Sequence, residues 1–301
     1  MRIVGDPASH ARELLAEDRV GSAEVEWDRA THFSGADEET AAYVFTLDSV
    51  NFGSGYFPHL QKRSGLSGYF TVALALKERF ERHGPFSARE LERLVPDDVA
   101  GLFGQGPGDA VRSELVLHFT RALNDLGAFL DQRFRGSFTK LLDAAAGSAE
   151  RLAGLLTAMP YFRDVARYRG RDVPILKRAQ ITPSDLALAL AGRPRGEFHD
   201  LERLTIFADN LVPHVLRLEG LLEYAPSLAQ RLERGELLPA GSVEEVEIRA
   251  VALHAVEQMV AGLRASGERT SARLLDLHLW NRGQAERYRG GSKHRTRTVY
   301  Y

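Results

Sequence analysis

Tyr43-Val-Phe-Thr-Leu-Asp-Ser-Val-Asn-Phe52 can be read either as a strand or as a helix. Its β-branched and aromatic residues suit a strand. A helix fits better, because Asp37 can cap it and Glu38 and Glu39 fall where the positive end of a helix favours acids. Gly53-Ser-Gly55 then ends the element, and Tyr56-Phe57-Pro58 continues as loop. With that segment helical, strand-like alternation is scarce. Apolar spacing near 3.6 residues runs through Tyr69 to Phe80, Val111 to Leu130, Leu201 to Leu218, Ile248 to Leu263 and Leu274 to Trp280. Asp6 followed by Pro7 marks a further helix start, and Ser87 with Glu90 and Ser242 with Glu245 have capping-box spacing. Breaks fall at Gly84-Pro85, Gly104-Gln-Gly106-Pro-Gly108, Gly192-Arg-Pro-Arg-Gly196 and Gly241. No repeat of fixed length joins these segments, which argues against a solenoid. The expected fold class is all-α: one compact multi-helix domain over residues 1–301, with room for two lobes.

The chain has 301 residues, 44% of them hydrophobic, enough for a sizeable core. Lys plus Arg number 39 against 41 Asp plus Glu, a net charge of −2 that gives no general attraction to a polyanion. No stable nucleic-acid partner is therefore expected. Residues 282–301 form a local exception, where Arg282, Arg287, Arg289, Lys293, Arg295 and Arg297 crowd together without periodic apolar residues. They are expected as a solvated basic tail, with a nucleic-acid contact as the alternative. There is no cysteine, so disulfides, thiolate metal sites and a Cys nucleophile are excluded. The first residues lack an apolar signal core, and no window approaches the roughly 18 apolar residues of a membrane helix, so a cytoplasmic location is the default.

Several catalytic signatures are missing. The Gly-x-Gly pairs lack the third glycine of a dinucleotide fingerprint and the Lys-Ser/Thr of a Walker loop. None of the ten histidines has His-Glu-x-x-His spacing, and His254, inside an apolar helical run, is expected as a core imidazole. Neither a metal nor a cofactor is expected. What stands out instead is a set of polar residues in apolar helical text, where burial is costly without pairing or function. Asp48 and Asn51 lie three apart on one expected helix face beside Phe52. Lys177-Arg178 precedes Thr182-Pro183, read as a cap and helix start. Asp209 closes the uncharged run Leu204-Thr-Ile-Phe-Ala-Asp209, expected to be helical, and Asp276 precedes Trp280 by one turn. Each has a bland explanation: Asp48 or Asp209 as a cap, Lys177 in a surface pair, Trp280 in the core. Together they suggest a pocket that holds a polar ring by its edge and face.

At these residues the sequence resembles the queuosine salvage family, queuosine 5′-phosphate N-glycosylase/hydrolases. The likeness rests on Phe45-Thr-Leu-Asp-Ser-Val-Asn-Phe52, Leu176-Lys-Arg-Ala-Gln180, Leu204-Thr-Ile-Phe-Ala-Asp209 with Val212-Pro213, Glu247-Ile-Arg249 and Leu275-Asp-Leu-His-Leu-Trp280, all in family order. The chain departs from the family at Gly53-Ser-Gly-Tyr-Phe57, where further aromatics including Trp would be expected, and at Asn281, where an acid is usual. The resemblance implies an all-helical core similar to that of helix-hairpin-helix DNA glycosylases. It implies hydrolysis of queuosine 5′-monophosphate to release queuine, with Asp209 as the catalytic carboxylate and Lys177 beside it. His32, Phe207 and Asp276 carry over as base-pocket residues, and Trp280 could cover a ring face. Asp48, Asn51 and Phe52 join them as substrate-binding candidates, while Lys177, Arg178 or Arg249 could meet the 5′-phosphate. A nucleic-acid base glycosylase and a non-catalytic helical scaffold are the alternatives.

Overall fold

A computed structural model of the chain describes residues 1–18, 26–289 and 292–301. Helix dominates it, and the strands among the described residues are four short ones of two to four residues. The contacts divide the chain into two compact units. The first comprises residues 1–25, 165–177 and 200–297; the second comprises residues 26–164, 178–199 and 298–301.

The second unit contains α2 (Asp37–Ser49), α3 (Gly68–His83), α4 (Ala88–Arg93), α5 (Pro96–Leu102), α6 (Ala110–Phe134), α7 (Phe138–Ala145) and α8 (Ala149–Leu156). It also holds α9 (Lys177–Ala189) from Arg178 onward. The ambiguous segment is α2, and every residue from Thr40 to Ser49 is buried. A helix buried on all sides needs no polar face, which is why its text lacks amphipathic spacing. Its N-cap is Ala36 rather than Asp37. The Asp37 carboxylate instead pairs with Arg193 and Arg195, both at 3.2 Å. Glu39 accepts from the Ala36 N–H at 2.9 Å. Glu38 reaches the start of α7, where Oε1 accepts from the Phe138 N–H and Oε2 from the Thr139 N–H, each at 2.8 Å. The helix ends at Ser49, so Asn51 lies beyond it and does not share a helix face with Asp48. Close packing of α4 on α6 needs Gly127, whose Cβ would sit 2.5 Å from the Ala88 carbonyl oxygen. Thr182-Pro183 lies inside α9 rather than at its start, and the Thr182 hydroxyl donates back to the Arg178 carbonyl at 2.9 Å.

The first unit is built on α1 (Pro7–Asp18), α10 (Val212–Leu218), α11 (Pro226–Glu233), α12 (Val243–Ala265) and α13 (Ala272–Arg282). β1 (Arg2–Ile3) pairs antiparallel with β4 (Leu222–Glu223), and β2 (Val165–Tyr168) pairs with β3 (Arg171–Pro174) as a hairpin. Asp6 begins α1 as expected, accepting from the Ala8 and Ser9 N–H groups at 3.2 and 3.0 Å. Gly262 lets α1 lie against α12, since a Cβ there would meet that of Ala8 at 2.1 Å. Ser242 caps α12, but the reciprocal half of the expected box is displaced: Glu245 accepts from the Gly241 N–H at 3.2 Å. Ile206, Val215, Ile248, Val256, Leu275 and Leu279 belong to one core cluster. His254, expected inside, is exposed and hydrogen-bonded to Gln258 at 2.9 Å.

The basic segment is not a solvated tail. In the first unit the Leu238 N–H donates to the Arg295 carbonyl and Arg295 Nη2 to the Gly235 carbonyl, both at 2.9 Å. His294, Thr296 and Thr298 are buried, an every-second-residue pattern that extended backbone produces without helical periodicity. In the second unit the Gly53 N–H donates to the Tyr301 carbonyl at 3.0 Å. Residues 290 and 291 of this segment lie outside the described residues.

Candidate active site

Residues 204–211, expected as helix, are irregular; a 3-10 turn covers Leu201–Arg203 and α10 begins only at Val212. Pro213 in the first turn suits that start. The stretch can leave the helix because side chains satisfy its backbone. The Phe207 N–H donates to Asp276 Oδ1 at 2.8 Å, and the Ala208 carbonyl accepts from Arg249 Nε at 2.8 Å. Asp209 Oδ1 accepts from the Leu211 and Val212 N–H groups at 2.7 and 3.2 Å. Asp209 is thus fixed through one oxygen and only partly buried.

Asp276 projects from α13 into the same neighbourhood and is 3% exposed. Burial pushes its carboxyl up to about 7, the negative charge of Asp209 adds to the rise, and the Phe207 N–H and the Lys177 ammonium oppose it. Lys177, buried at the first position of α9, follows Leu176, whose φ of +55° is left-handed. A branched side chain adopts that conformation only at a cost of about 1–2 kcal/mol, so the turn delivering Lys177 is held by its surroundings. Phe207 is buried, and Trp280 is half-buried against the core cluster. Arg249, 2% exposed, spends Nε on Ala208 and pairs through Nη1 with Glu245 at 3.3 Å. The first unit therefore brings together two carboxylates of unequal character, an ammonium and an aromatic ring.

The remaining candidates lie in the second unit. Arg178, though next to Lys177 in sequence, donates to the carbonyls of Asp48 at 3.1 Å, Ser49 at 2.7 Å and Val299 at 2.6 Å, and also to that of Tyr161. Its guanidinium lies 4.7 Å from the centre of the Phe52 ring and 4.9 Å from that of Phe162. Burial lowers its pKa, with Asp164 and Asp48 opposing, and a guanidinium so placed remains charged at neutral pH. Asp48 is fully buried and Asn51 half-buried. The His32 ring lies tilted against Trp27, with ring centres 4.5 Å apart and planes at 45°. Its Nε2 lies 2.8 Å from the Tyr69 hydroxyl, and its Nδ1 lies 3.1 Å from the Asp28 carbonyl oxygen. Burial lowers the pKa of this imidazole, with Asp28 opposing. A shallow cleft of about 510 Å³ in this unit is lined by Asp37, Asp143, Arg195 and Glu197 and contains none of the candidates.

Sequence reasoning missed Asn210, His294 and Tyr69. Asn210 Nδ2 donates to the His294 carbonyl at 3.3 Å, beside Asp209 in the chain, and burial lowers His294 to about 3, with Arg249 contributing. No spacing rule links residues 84 apart in sequence. Among the described residues, no three His, Asp or Glu side chains are grouped to hold a metal ion, and no helix is long and apolar enough to cross a membrane.

A helical protein carrying a carboxylate anchored by backbone N–H groups, beside a second buried carboxyl, a lysine and an aromatic ring, has the equipment of a hydrolase acting at a polar ring. The chain belongs to the queuosine salvage protein family, whose profile matches residues 31–301. It is 42% identical over 282 residues to a queuosine 5′-phosphate N-glycosylase/hydrolase of Sphaerobacter thermophilus, covering 91% of this chain and 85% of the relative. Relatives of the same name from Mus musculus and Dictyostelium discoideum are 32% and 33% identical, covering 89% and 88% of this chain and 83% and 79% of theirs.

Proposed function

We propose that this chain hydrolyses the N-glycosidic bond of queuosine 5′-phosphate, releasing queuine for return to tRNA modification, with Asp209 as the catalytic carboxylate. The observation carrying the assignment is the pairing of Asp209 with Asp276 beside Phe207 and Lys177 in a member of this family. Its helical core is read as similar to that of helix-hairpin-helix DNA glycosylases, which also part a base from a sugar.

In the reaction the C1′–N bond breaks, water supplies hydroxyl to C1′, and its remaining proton ends on the departing base. Positive charge develops on the ribosyl ring as the bond lengthens. Asp209, with Oδ1 held by two N–H groups, presents its other oxygen to stabilise that charge and to orient or deprotonate the water. Queuine is a 7-deazapurine, so leaving-group help comes through its remaining edge atoms. Asp276 balances between its two forms near neutrality and serves that edge; the base's side-chain ammonium would draw it toward the ionised form. Lys177 supplies positive charge for the phosphate or for the carboxylate pair. A small nucleotide substrate agrees with a net charge of −2, and no stable nucleic-acid partner is part of this reading. We place the reaction in the cytoplasm, because a charged monophosphate does not cross a membrane unaided. Incubation with queuosine 5′-phosphate should yield one equivalent each of queuine and ribose 5-phosphate by chromatography; intact nucleotide would contradict the proposal.

A further inference from the structure

Arg249 carries a sequence-based expectation that it meets the substrate phosphate, yet its surroundings point elsewhere. It lies on α12, 2% exposed, one turn after Glu245, which is 3% exposed. Glu245 Oε1 meets Arg249 Nη1 at 3.3 Å, while Glu245 Oε2 accepts from the Gly241 N–H at 3.2 Å, fixing the acid to the start of the helix. Arg249 Nε then donates at 2.8 Å to the carbonyl of Ala208, the residue before Asp209. Phe207, one residue further back, is gripped by Asp276, and Asn210, on the other side, donates to the His294 carbonyl at 3.3 Å. An irregular segment inside a core has no helical ladder to hold its shape, so these side-chain bonds fix where its backbone lies.

Burying an ion pair costs more than burying apolar residues of similar size, so the pair's contribution is geometric. A guanidinium is a planar, rigid fork, suited to fixing a carbonyl at a set distance from a helix. Glu245 also neutralises it locally, so the arginine braces the loop without cancelling the nearby Asp209 charge.

We propose that the Glu245–Arg249 pair is a positioning device: it fixes the Ala208–Asp209 peptide and thereby aims the Asp209 carboxylate at the anomeric carbon. The proposal rests on Asp209 being catalytic, and it makes Arg249 a positioning residue rather than a phosphate ligand.

The test measures kcat, KM and melting temperature for Arg249→Lys, Glu245→Gln, Asp209→Asn and the double variant Asp209→Asn/Arg249→Lys, using queuosine 5′-phosphate. Displacing a reacting group by about 1 Å costs on the order of 100-fold in rate. Arg249→Lys should therefore lower kcat by about 10- to 100-fold in a folded protein with little change in KM, and Glu245→Gln should lower it by less. In the Asp209→Asn background, Arg249→Lys should cost almost nothing further, because its effect runs through the missing charge. A rate loss equally large in both backgrounds would make Arg249 merely structural. A loss confined to KM for the nucleotide, and absent for queuosine, would make it a phosphate ligand. If Arg249→Lys does not fold, Glu245→Gln carries the test, and wild-type kcat in that variant overturns the proposal. Wild-type turnover by Asp209→Asn would instead overturn the catalytic assignment itself, whereas an inactive Asp209→Asn beside fully active Arg249→Lys and Glu245→Gln would overturn the clamp alone.

Discussion

Asp276→Asn should make the protein more stable while impairing it as an enzyme. In an unfolded chain Asp276 titrates at 3.8, and in the folded protein burial and the Asp209 charge move it to about 7. Between those values the folded state keeps a proton that the unfolded state has lost, so stability falls as pH rises, and the full loss is present above about pH 7. The rise from 3.8 to about 7, at about 1.36 kcal/mol per factor of ten, gives an upper bound of about 4 kcal/mol. Asparagine carries no charge, and its amide oxygen can still accept the Phe207 N–H that Asp276 accepts at 2.8 Å. Its added amide hydrogens need partners in a buried site, which offsets about 1–2 kcal/mol at every pH. Urea unfolding of both proteins at pH 5 and pH 8 isolates the charge contribution, since the pH-independent offset cancels. The variant's advantage should grow by about 2–3 kcal/mol between those pH values. A stability difference that stays flat from pH 5 to pH 8 would refute the claim that Asp276 is forced toward its neutral form.

Glu38→Gln should weaken the second unit by about 1–3 kcal/mol at pH 7, because the carboxylate accepts from Phe138, Ser137 and Thr139 at the start of α7. Burial raises the Glu38 pKa, but these hydrogen bonds outweigh it and lower the pKa below its usual 4.5. The wild-type advantage should therefore be present above pH 4.5 and fade as pH falls through the lowered value, as thermal melts at pH 7 and pH 3 would show. Arg178→Met should destabilise by about 3 kcal/mol or more in urea unfolding, since it strands the carbonyls of Asp48, Ser49, Tyr161 and Val299. Lys177→Ala should lower kcat/KM for queuosine 5′-phosphate more than for queuosine. Equal losses on the two substrates would assign Lys177 to the carboxylate pair instead.

The regular helices were legible because apolar periodicity reports one-sided burial, and α3, α6, α12 and α13 extend a few residues beyond the periodic stretches. α2 was legible only through its acidic start, since burial of its last ten residues erased any polar face. The failure at residues 204–211 has a physical cause. The stretch is apolar enough to be a core helix, but Arg249 and Asp276, 41 and 69 residues away, bond the backbone groups at Ala208 and Phe207. Local spacing cannot register such partners. The same limit applies to the candidate site. Asp209, Asp276 and Lys177 stood out as charges in apolar text, and the structure brings all three into one neighbourhood. Which carbonyl Arg249 bonds was invisible, because that depends on the fold rather than on its charge.

The central claim is that Asp209 acts through its negative charge, and turnover of queuosine 5′-phosphate by Asp209→Asn tests it most directly. Asparagine keeps the shape and can still accept the Leu211 and Val212 N–H groups at the head of α10, so a purely structural site would lose little. Loss of the charge that stabilises the ribosyl cation should lower kcat at least ~10³-fold, about 4 kcal/mol of barrier, while queuine affinity and melting temperature stay near wild type. A folded Asp209→Asn protein turning over within tenfold of wild type would contradict the account.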